Sequence, residues 1–437
     1  MENSMRLFAF AKIFKPLGLA AWLINPALAL ISGVYPTSAW SAPLTLEQAW
    51  QLAERANPTL RSAQANLIAL EGQSLDAHAP LWNNPELSTG IARRRTTDAK
   101  GNDWNIGIAQ RLELGGQATH RREVARQEWA AAKEGVQETR RQIRGEVEQR
   151  FYKIVALQTR IDGEQKTLKL TEDSAFIVKK RFKAGEDSRL DNNLALVESE
   201  RARNQLTLFN EQLLQARAEL AATLQLPVGN LPDVAGDLAL KQPGYTLPEL
   251  LATVESRPQL KALGYRERAA RSRLGLERAS VYPDLTIGLS TAREGPNGAQ
   301  DKIIGLNLSL SLPLFKRNAT GIGRASADLT QTQIEREAML RDARAQVATL
   351  WQTLESLKNR VNRLQNEVLP RLDENQRLSQ KALRVGEIGF AQLLLVNRQT
   401  LDARRDLLDA MIESTQTRIA LEQASGWPAA LAGLAKP

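Results

Sequence analysis

The chain has no cysteine among its 437 residues. That excludes disulfide staples, a lipid anchor on an N-terminal cysteine, and any thiolate metal site. Two histidines, His78 and His120, and four methionines provide no clustered ligand set, so neither a resident metal nor another cofactor is expected. Aromatic residues make up only 5%, too few for several ordinary globular cores. Abundant Ala, Leu, Gln, Glu and Arg suit long helices instead. Beyond residue 42 no segment approaches the roughly 20 apolar residues of a membrane-spanning helix. No nucleophile–base arrangement stands out, and Gly321-Ile322-Gly323 lacks the Lys-Ser/Thr ending of a phosphate loop. No enzymatic activity is expected.

What the chain does have begins with Arg6, Lys12 and Lys15, an apolar stretch over residues 17–34, and the small-residue run Ser38-Ala39-Trp40-Ser41-Ala42. This order predicts a secretory signal over 1–42, cleaved near Ser41 or Ala42, with Ala29 as a second cleavage point. A retained membrane anchor is the alternative. The formal net charge of +9 would by itself suit nucleic acid. An exported chain with alternating strands speaks against that partner and against a cytoplasmic helical scaffold.

The sequence also reads twice, at a spacing of about 200 residues. Thr45-Leu46 returns as Thr246-Leu247, and Asn57-Pro58 as Arg257-Pro258. Val147 and Phe151 return as Val347 and Trp351, and Phe182-Lys183-Ala184-Gly185-Glu186 as Leu383-Arg384-Val385-Gly386-Glu387. The first repeat is placed at 43–240 and the second at 241–437. Each opens with a short helix (46–56, 247–256) and a second helix (59–77, 259–279). A Pro-marked corner follows, where Trp82 and Tyr282 are equivalent.

Beyond each corner the apolar period changes from 3.6 to 2. Ile304, Leu306, Leu308, Leu310 and Leu312 alternate with Gly305, Asn307, Ser309 and Ser311; Trp104, Ile106, Ile108, Leu112 and Leu114 form a similar series. One β-hairpin per repeat is expected, at about 86–114 and 284–314, with turns at 97–102 and 295–299. Strands of about 10 residues with one aliphatic and one small-polar face suit a transmembrane β-barrel; an edge hairpin on a soluble core is the alternative. Four strands cannot close a barrel, because the smallest have about eight and open edges are not tolerated in lipid. A membrane-spanning chain would therefore have to oligomerise.

Each hairpin leads into a long helical hairpin, at about 117–224 and 324–424. The outgoing run 117–183 would be on the order of 100 Å long. Turns are expected at 184–188 and 385–389, and Pro370 is expected to bend or break the second outgoing helix. Leu394, Leu401 and Leu408 recur every seven residues, which implies coiled packing against neighbouring helices.

This order resembles the TolC-like outer-membrane efflux proteins over nearly all of the mature chain. Gln110-Arg111-Leu112-Glu113-Leu114-Gly115-Gly116 is similar to the cobalt–zinc–cadmium, heavy-metal branch. Leu310-Ser311-Leu312-Pro313-Leu314-Phe315-Lys316-Arg317-Asn318 is similar to the wider family. The turns Arg181-Phe182-Lys183-Ala184-Gly185-Glu186 and Arg384-Val385-Gly386-Glu387 resemble its periplasmic helix tips. The resemblance implies a mainly α, internally duplicated fold with β-hairpins. It implies a homotrimer whose twelve-stranded β-barrel crosses the Gram-negative outer membrane and continues as a long α-helical barrel in the periplasm. The implied partners are outer-membrane lipid, a periplasmic membrane-fusion adaptor and an inner-membrane, proton-driven resistance-nodulation-division pump. The chain would be a passive exit duct for divalent cations such as cobalt, zinc, cadmium or nickel, or else for drugs, solvents or a secreted protein.

On that resemblance Ala184, Gly185, Glu186, Val385, Gly386 and Glu387 are the expected adaptor contacts. Glycine at 185 and 386 is also what a compact reversal needs. Glu186, Asp187 and Asp191 are candidate gate or selectivity carboxylates, with Gln392 the uncharged counterpart of Asp191; a solvated helix face is the plainer reading. Arg93-Arg94-Arg95 is expected in a solvated loop, with contact to lipopolysaccharide phosphates as the alternative. Trp82, Trp104 and Tyr282 are candidate membrane-interface aromatics.

Overall fold

The computed structural model describes residues 43–95, 100–238 and 244–427. The expected signal, residues 97–99 of the expected first hairpin turn and the expected repeat boundary at 240 lie outside them. The first half contains α1 (Leu46–Ala56), α2 (Pro58–Ala77), β1 (Glu86–Arg95), β2 (Lys100–Leu112), α3 (Gln117–Lys183) and α4 (Arg189–Thr223). The second contains α5 (Leu247–Thr253), α6 (Pro258–Ala279), β3 (Leu285–Glu294), β4 (Asp301–Leu310), α7 (Ala319–Arg363), α8 (Leu369–Arg384) and α9 (Phe390–Ser425). The same order of elements therefore occurs twice.

Local chemistry sets the boundaries. Asn57 Oδ1 accepts from the N–H groups of Thr59 (2.9 Å) and Leu60 (3.4 Å), and Pro58 opens α2 where no N–H is needed. Glu249 accepts from the Thr246 N–H at 2.7 Å to start α5. α3 runs 67 residues, or about 100 Å.

Three expectations are corrected. Arg93-Arg94-Arg95, expected in a solvated loop, form the end of β1, and residues 100–102, expected in the first turn, belong to β2. There the Asn297 N–H donates to the Lys100 carbonyl (2.9 Å) and the Gln300 side chain to that of Asn102 (3.0 Å), so the neighbouring hairpin extends the strand. α7 begins at Ala319, earlier than 324. Asn318 adopts φ 52 and its side chain donates to the Glu277 carbonyl at 2.9 Å, a left-handed start that Asn tolerates. As expected, the second outgoing α-helix is interrupted at Pro370, between α7 and α8. A π-helical segment, Leu364–Val368, precedes the proline, and the Leu369 N–H donates to the Leu364 carbonyl five residues back. The wider turn moves aside the carbonyl that the proline ring would strike.

The four strands form one antiparallel sheet in the order β1-β2-β3-β4. Its central pairing, β2 with β3, joins the two halves, while β1 and β4 are edges. Each half has its own core. In the first, Leu44, Leu60, Val147, Phe151, Ile154 and Leu220 are buried together. In the second, Leu250, Val254, Val347, Leu354 and Leu421 do the same. Val147 and Val347, matched in sequence, are both fully buried. Among the described residues no helix is long and apolar enough to cross a membrane.

Candidate functional site at the helical tips and the sheet

Both tips are built by the same backbone device. Gly185 and Gly386 each adopt φ 80. At the first tip the Glu186 N–H donates to Arg181 O (2.9 Å) and Gly185 N–H to Phe182 O (3.1 Å). At the second, Glu387 N–H donates to Ala382 O (2.9 Å) and Gly386 N–H to Leu383 O (3.2 Å). This is the Schellman reversal, which favours a residue without Cβ. Open space surrounds both glycines, so conformation rather than crowding requires them. Ala184, Gly185, Glu186, Val385, Gly386 and Glu387 are all exposed at these turns.

The candidate carboxylates are each engaged. Asp191 Oδ2 accepts from the Ser188 hydroxyl at 2.6 Å, and Ser188 Oγ accepts from the Asp191 N–H at 3.1 Å, a reciprocal cap on α4. Gln392 occupies the same position in α9, where its Oε1 accepts from the Gly389 N–H at 3.3 Å. Gly389 offers no hydroxyl in return. Asp187 is largely covered and lies 3.3 Å from Arg181 Nη2, whereas Glu186 is exposed and 3.5 Å from Arg181 Nε.

Sequence reasoning gave no role to two tip residues. Arg181 touches both acids of its own tip and also donates to the Leu383 carbonyl of the other. Phe390, only 5% exposed, packs with Ala175, Val178 and Ala195 and so pins α9 against α3 and α4. An aromatic residue directly after Gly389, where the chain turns, was the available signal.

Sequence reasoning also missed a buried ionic network near the base of the long helices. Arg141 pairs with Glu138 at 2.6 Å and donates to the Gln423 carbonyl. Arg257 lies 3.7 Å from Glu138 and donates to the Ala424 carbonyl at 3.0 Å. These cations satisfy the end of α9. Burial pushes the Glu138 carboxyl up, but Arg141 and Arg257 outweigh it and hold it below its usual value. Beside them Arg418 bridges Glu148 (3.1 Å) and Glu422 (3.0 Å), and the Tyr245 hydroxyl donates to Glu422 at 3.1 Å. Burial raises Glu148, against the pull of Arg418, and raises the Tyr245 hydroxyl.

The sheet register is constant, so residues sort cleanly by face. Leu87, Ile108, Leu289 and Leu306 are aligned across all four strands, as are Thr89, Ile106, Thr291 and Ile304. These aliphatic side chains are exposed: Leu87 76%, Ile304 77% and Leu306 65%. The opposite face carries Ser88, Gly107, Ser290 and Gly305 in one row. The expected alternation is thus present, with Ile303 an aliphatic exception on the small-polar face. Trp82 and Tyr282 are exposed near the sheet base, and the Arg121 guanidinium stacks 3.9 Å over Trp82.

Neither histidine is placed as a ligand. His78 Nδ1 lies 2.7 Å from the Ser74 carbonyl, and His120 packs on Gly275. Among the described residues no group of three or more His, Asp or Glu could hold a metal ion.

A sheet with one largely aliphatic exposed face, carried on helical hairpins that end in paired tips, defines the class: a subunit of a membrane channel. The chain belongs to the outer membrane efflux protein family, whose model matches residues 49–224 and 251–427. It is an efflux channel protein of the outer membrane. It is 28% identical to the cobalt-zinc-cadmium resistance protein CzcC of Cupriavidus metallidurans over 411 residues, covering 92% of this chain and 94% of that one. It is 23% identical to the pyoverdine export outer membrane protein OpmQ of Pseudomonas putida, covering 94% of each. Among solved structures, CusC superposes with a TM-score of 0.75 at 20% identity, covering 87% of this chain and 91% of that one. VceC of Vibrio cholerae gives 0.76 at 16% identity, covering 87% and 96%.

Proposed function

We propose that three copies of this chain form the exit duct of a tripartite efflux system that discharges divalent heavy-metal cations. The observation that carries the assembly is the open four-stranded sheet with its exposed aliphatic face. Unpaired strand edges are not tolerated in hydrocarbon. Pairing β4 of one copy with β1 of the next, three times over, removes every edge and gives 3 × 4 = 12 strands. The helical hairpins then line a tunnel whose tips, through Ala184, Gly185, Glu186, Val385, Gly386 and Glu387, meet a periplasmic adaptor. An inner-membrane, proton-driven pump of the resistance-nodulation-division type supplies the cargo.

Two observations favour cations. The relatives include CzcC and a nickel and cobalt resistance protein of Cupriavidus metallidurans. On the small-polar face, the tip end of the sheet carries Asp103, Glu294 and Asp301 against Arg94. Acid excess at a pore mouth favours cations over anions. At the helical entrance Glu186, Asp187 and Asp191 are the candidate selectivity carboxylates, set among Lys180, Arg181, Lys183 and Arg189, with Gln392 the neutral counterpart of Asp191 in the second hairpin. OpmQ and the toluene efflux protein TtgC support a second reading, a duct for organic cargo.

The test is complementation of a strain lacking its own channel, challenged with cobalt, zinc, cadmium, nickel and organic drugs. Restored metal tolerance without drug tolerance is expected. Drug tolerance alone would transfer the protein to the second reading. Crosslinking that yields only monomers in the membrane would sink the trimer.

A further inference from the structure

At the tip end of the sheet the register separates charges by sign. Arg93, Arg95, Lys100, Arg293 and Lys302 share a face with Ile91, Trp104 and Ile304. All five cations are exposed, and none forms an ion pair among the described residues. Arg94 falls on the opposite face, where Asp103 lies 3.0 Å and Glu294 3.8 Å away. The described acids at this end, Asp103, Glu294 and Asp301, are on that opposite face too. The triplet Arg93-Arg94-Arg95 is therefore split, with two side chains on the aliphatic face and one on the small-polar face.

The position of the five cations is as informative as their sign. From Leu285 to Arg293 along β3 is about 27 Å, which at a strand tilt of about 40° covers about 21 Å of the roughly 25 Å height of a barrel's apolar band. The cations begin in the row of Trp104, where an interface aromatic belongs, and continue beyond it. Two cation pairs face each other directly across strands, Arg95 with Lys100 and Arg293 with Lys302. Like charges in such pairs destabilise a sheet in water. A bridging anion would reverse the sign of that term.

We infer that this rim binds the phosphate groups of an anionic, phosphorylated glycolipid in the outer leaflet of the membrane. The inference rests on the reading that the sheet spans the outer membrane with its turns outward. Arginine offers a planar fork that matches phosphate oxygens, and lysine adds a point charge. Ile91, Trp104 and Ile304 contact the acyl chains below. Salt weakens the attachment, because the charges lie at the surface.

The purified full-length channel is placed in lipid nanodiscs containing either the phosphorylated glycolipid or the same lipid after enzymatic dephosphorylation, and retained lipid is counted by native mass spectrometry. The wild-type channel is expected to retain at least about fivefold more of the phosphorylated form. The Arg93→Gln/Arg95→Gln/Arg293→Gln/Lys302→Gln variant loses that preference, and Arg94→Gln keeps it. Equal retention of both lipids by the wild type, or an unchanged preference in the quadruple variant, overturns the inference. The wild-type comparison needs no folded variant. Because the chain has no cysteine, Leu306→Cys takes a single fluorophore, and a lipid-soluble quencher reports whether the aliphatic face is in lipid. Quenching without lipid preference defeats the rim alone. Absence of quenching defeats the membrane-spanning reading and the rim with it.

Discussion

Arg181 in the last turn of α3 reaches the carbonyl of Leu383, the penultimate residue of α8, at 3.4 Å. The contact joins the two tips, because the same guanidinium holds Asp187 and Glu186. Terminal carbonyls of a helix lack intrahelical partners and carry partial negative charge, so a cation there stabilises the contact. Arg181→Gln removes the charge and should weaken the join by about 0.5–1 kcal/mol. With spin labels at Ala184→Cys and Val385→Cys, the tip-to-tip distance distribution should broaden. An unchanged distribution would show that the Phe390 cluster alone holds the tips together.

Asp191 and Ser188 separate a structural role from an electrostatic one. Both belong to the reciprocal cap of α4. Ser188→Ala should cost about 1 kcal/mol of helix-start stability while leaving the carboxylate charge. Asp191→Asn removes the charge. In single-channel recordings Asp191→Asn should reduce cation preference and Ser188→Ala should not. Equal effects from both would confine Asp191 to capping and remove it from the selectivity residues.

Gly185 and Gly386 test the tips from the backbone side. Each occupies φ 80 with open space around it, so an added methyl meets no neighbour and its penalty is conformational, about 1–2 kcal/mol. Gly185→Ala and Gly386→Ala should leave the helical circular dichroism and the oligomer intact while lowering efflux in a complemented strain. The double variant should lower it further. A double variant with full efflux would show that adaptor coupling does not depend on the shape of these turns.

Periodicity made the elements legible. The 3.6-to-2 switch located both hairpins, and Gly-Glu after a long proline-free run located the first tip within a residue. What stayed hidden depends on contacts between distant segments. Asn57 and Arg257 sit at matched positions before a proline, yet Asn57 caps its own helix and Arg257 reaches the end of α9. No local pattern distinguishes an arginine on a solvated helix from one buried against Glu138. Pro370 was visible as an obstacle, but its solution by a π-segment depends on where each carbonyl lands. The split of Arg93, Arg94 and Arg95 between faces required the strand to continue through all three, against the expectation of a loop.

Glu138 offers the sharpest prediction for pH. It is 7% exposed and faces Arg141 and Arg257, with Gln142 donating to it at 3.2 Å. Its carboxyl is held below the ordinary 4.5, so its contribution to stability is present above that value and is lost as pH falls through the folded-state value. Glu148 has the opposite sign, because its raised carboxyl favours the fold most when protonated. Glu138→Gln leaves two buried guanidinium groups without their carboxylate and should cost about 3–5 kcal/mol at neutral pH. Thermal unfolding, followed by helical signal in detergent across a pH series, should show the difference between wild type and Glu138→Gln shrinking below 4.5. The Glu148 term is common to both proteins and cancels in that difference. A difference that stays constant into acid would mean that Glu138 acts through packing rather than through charge.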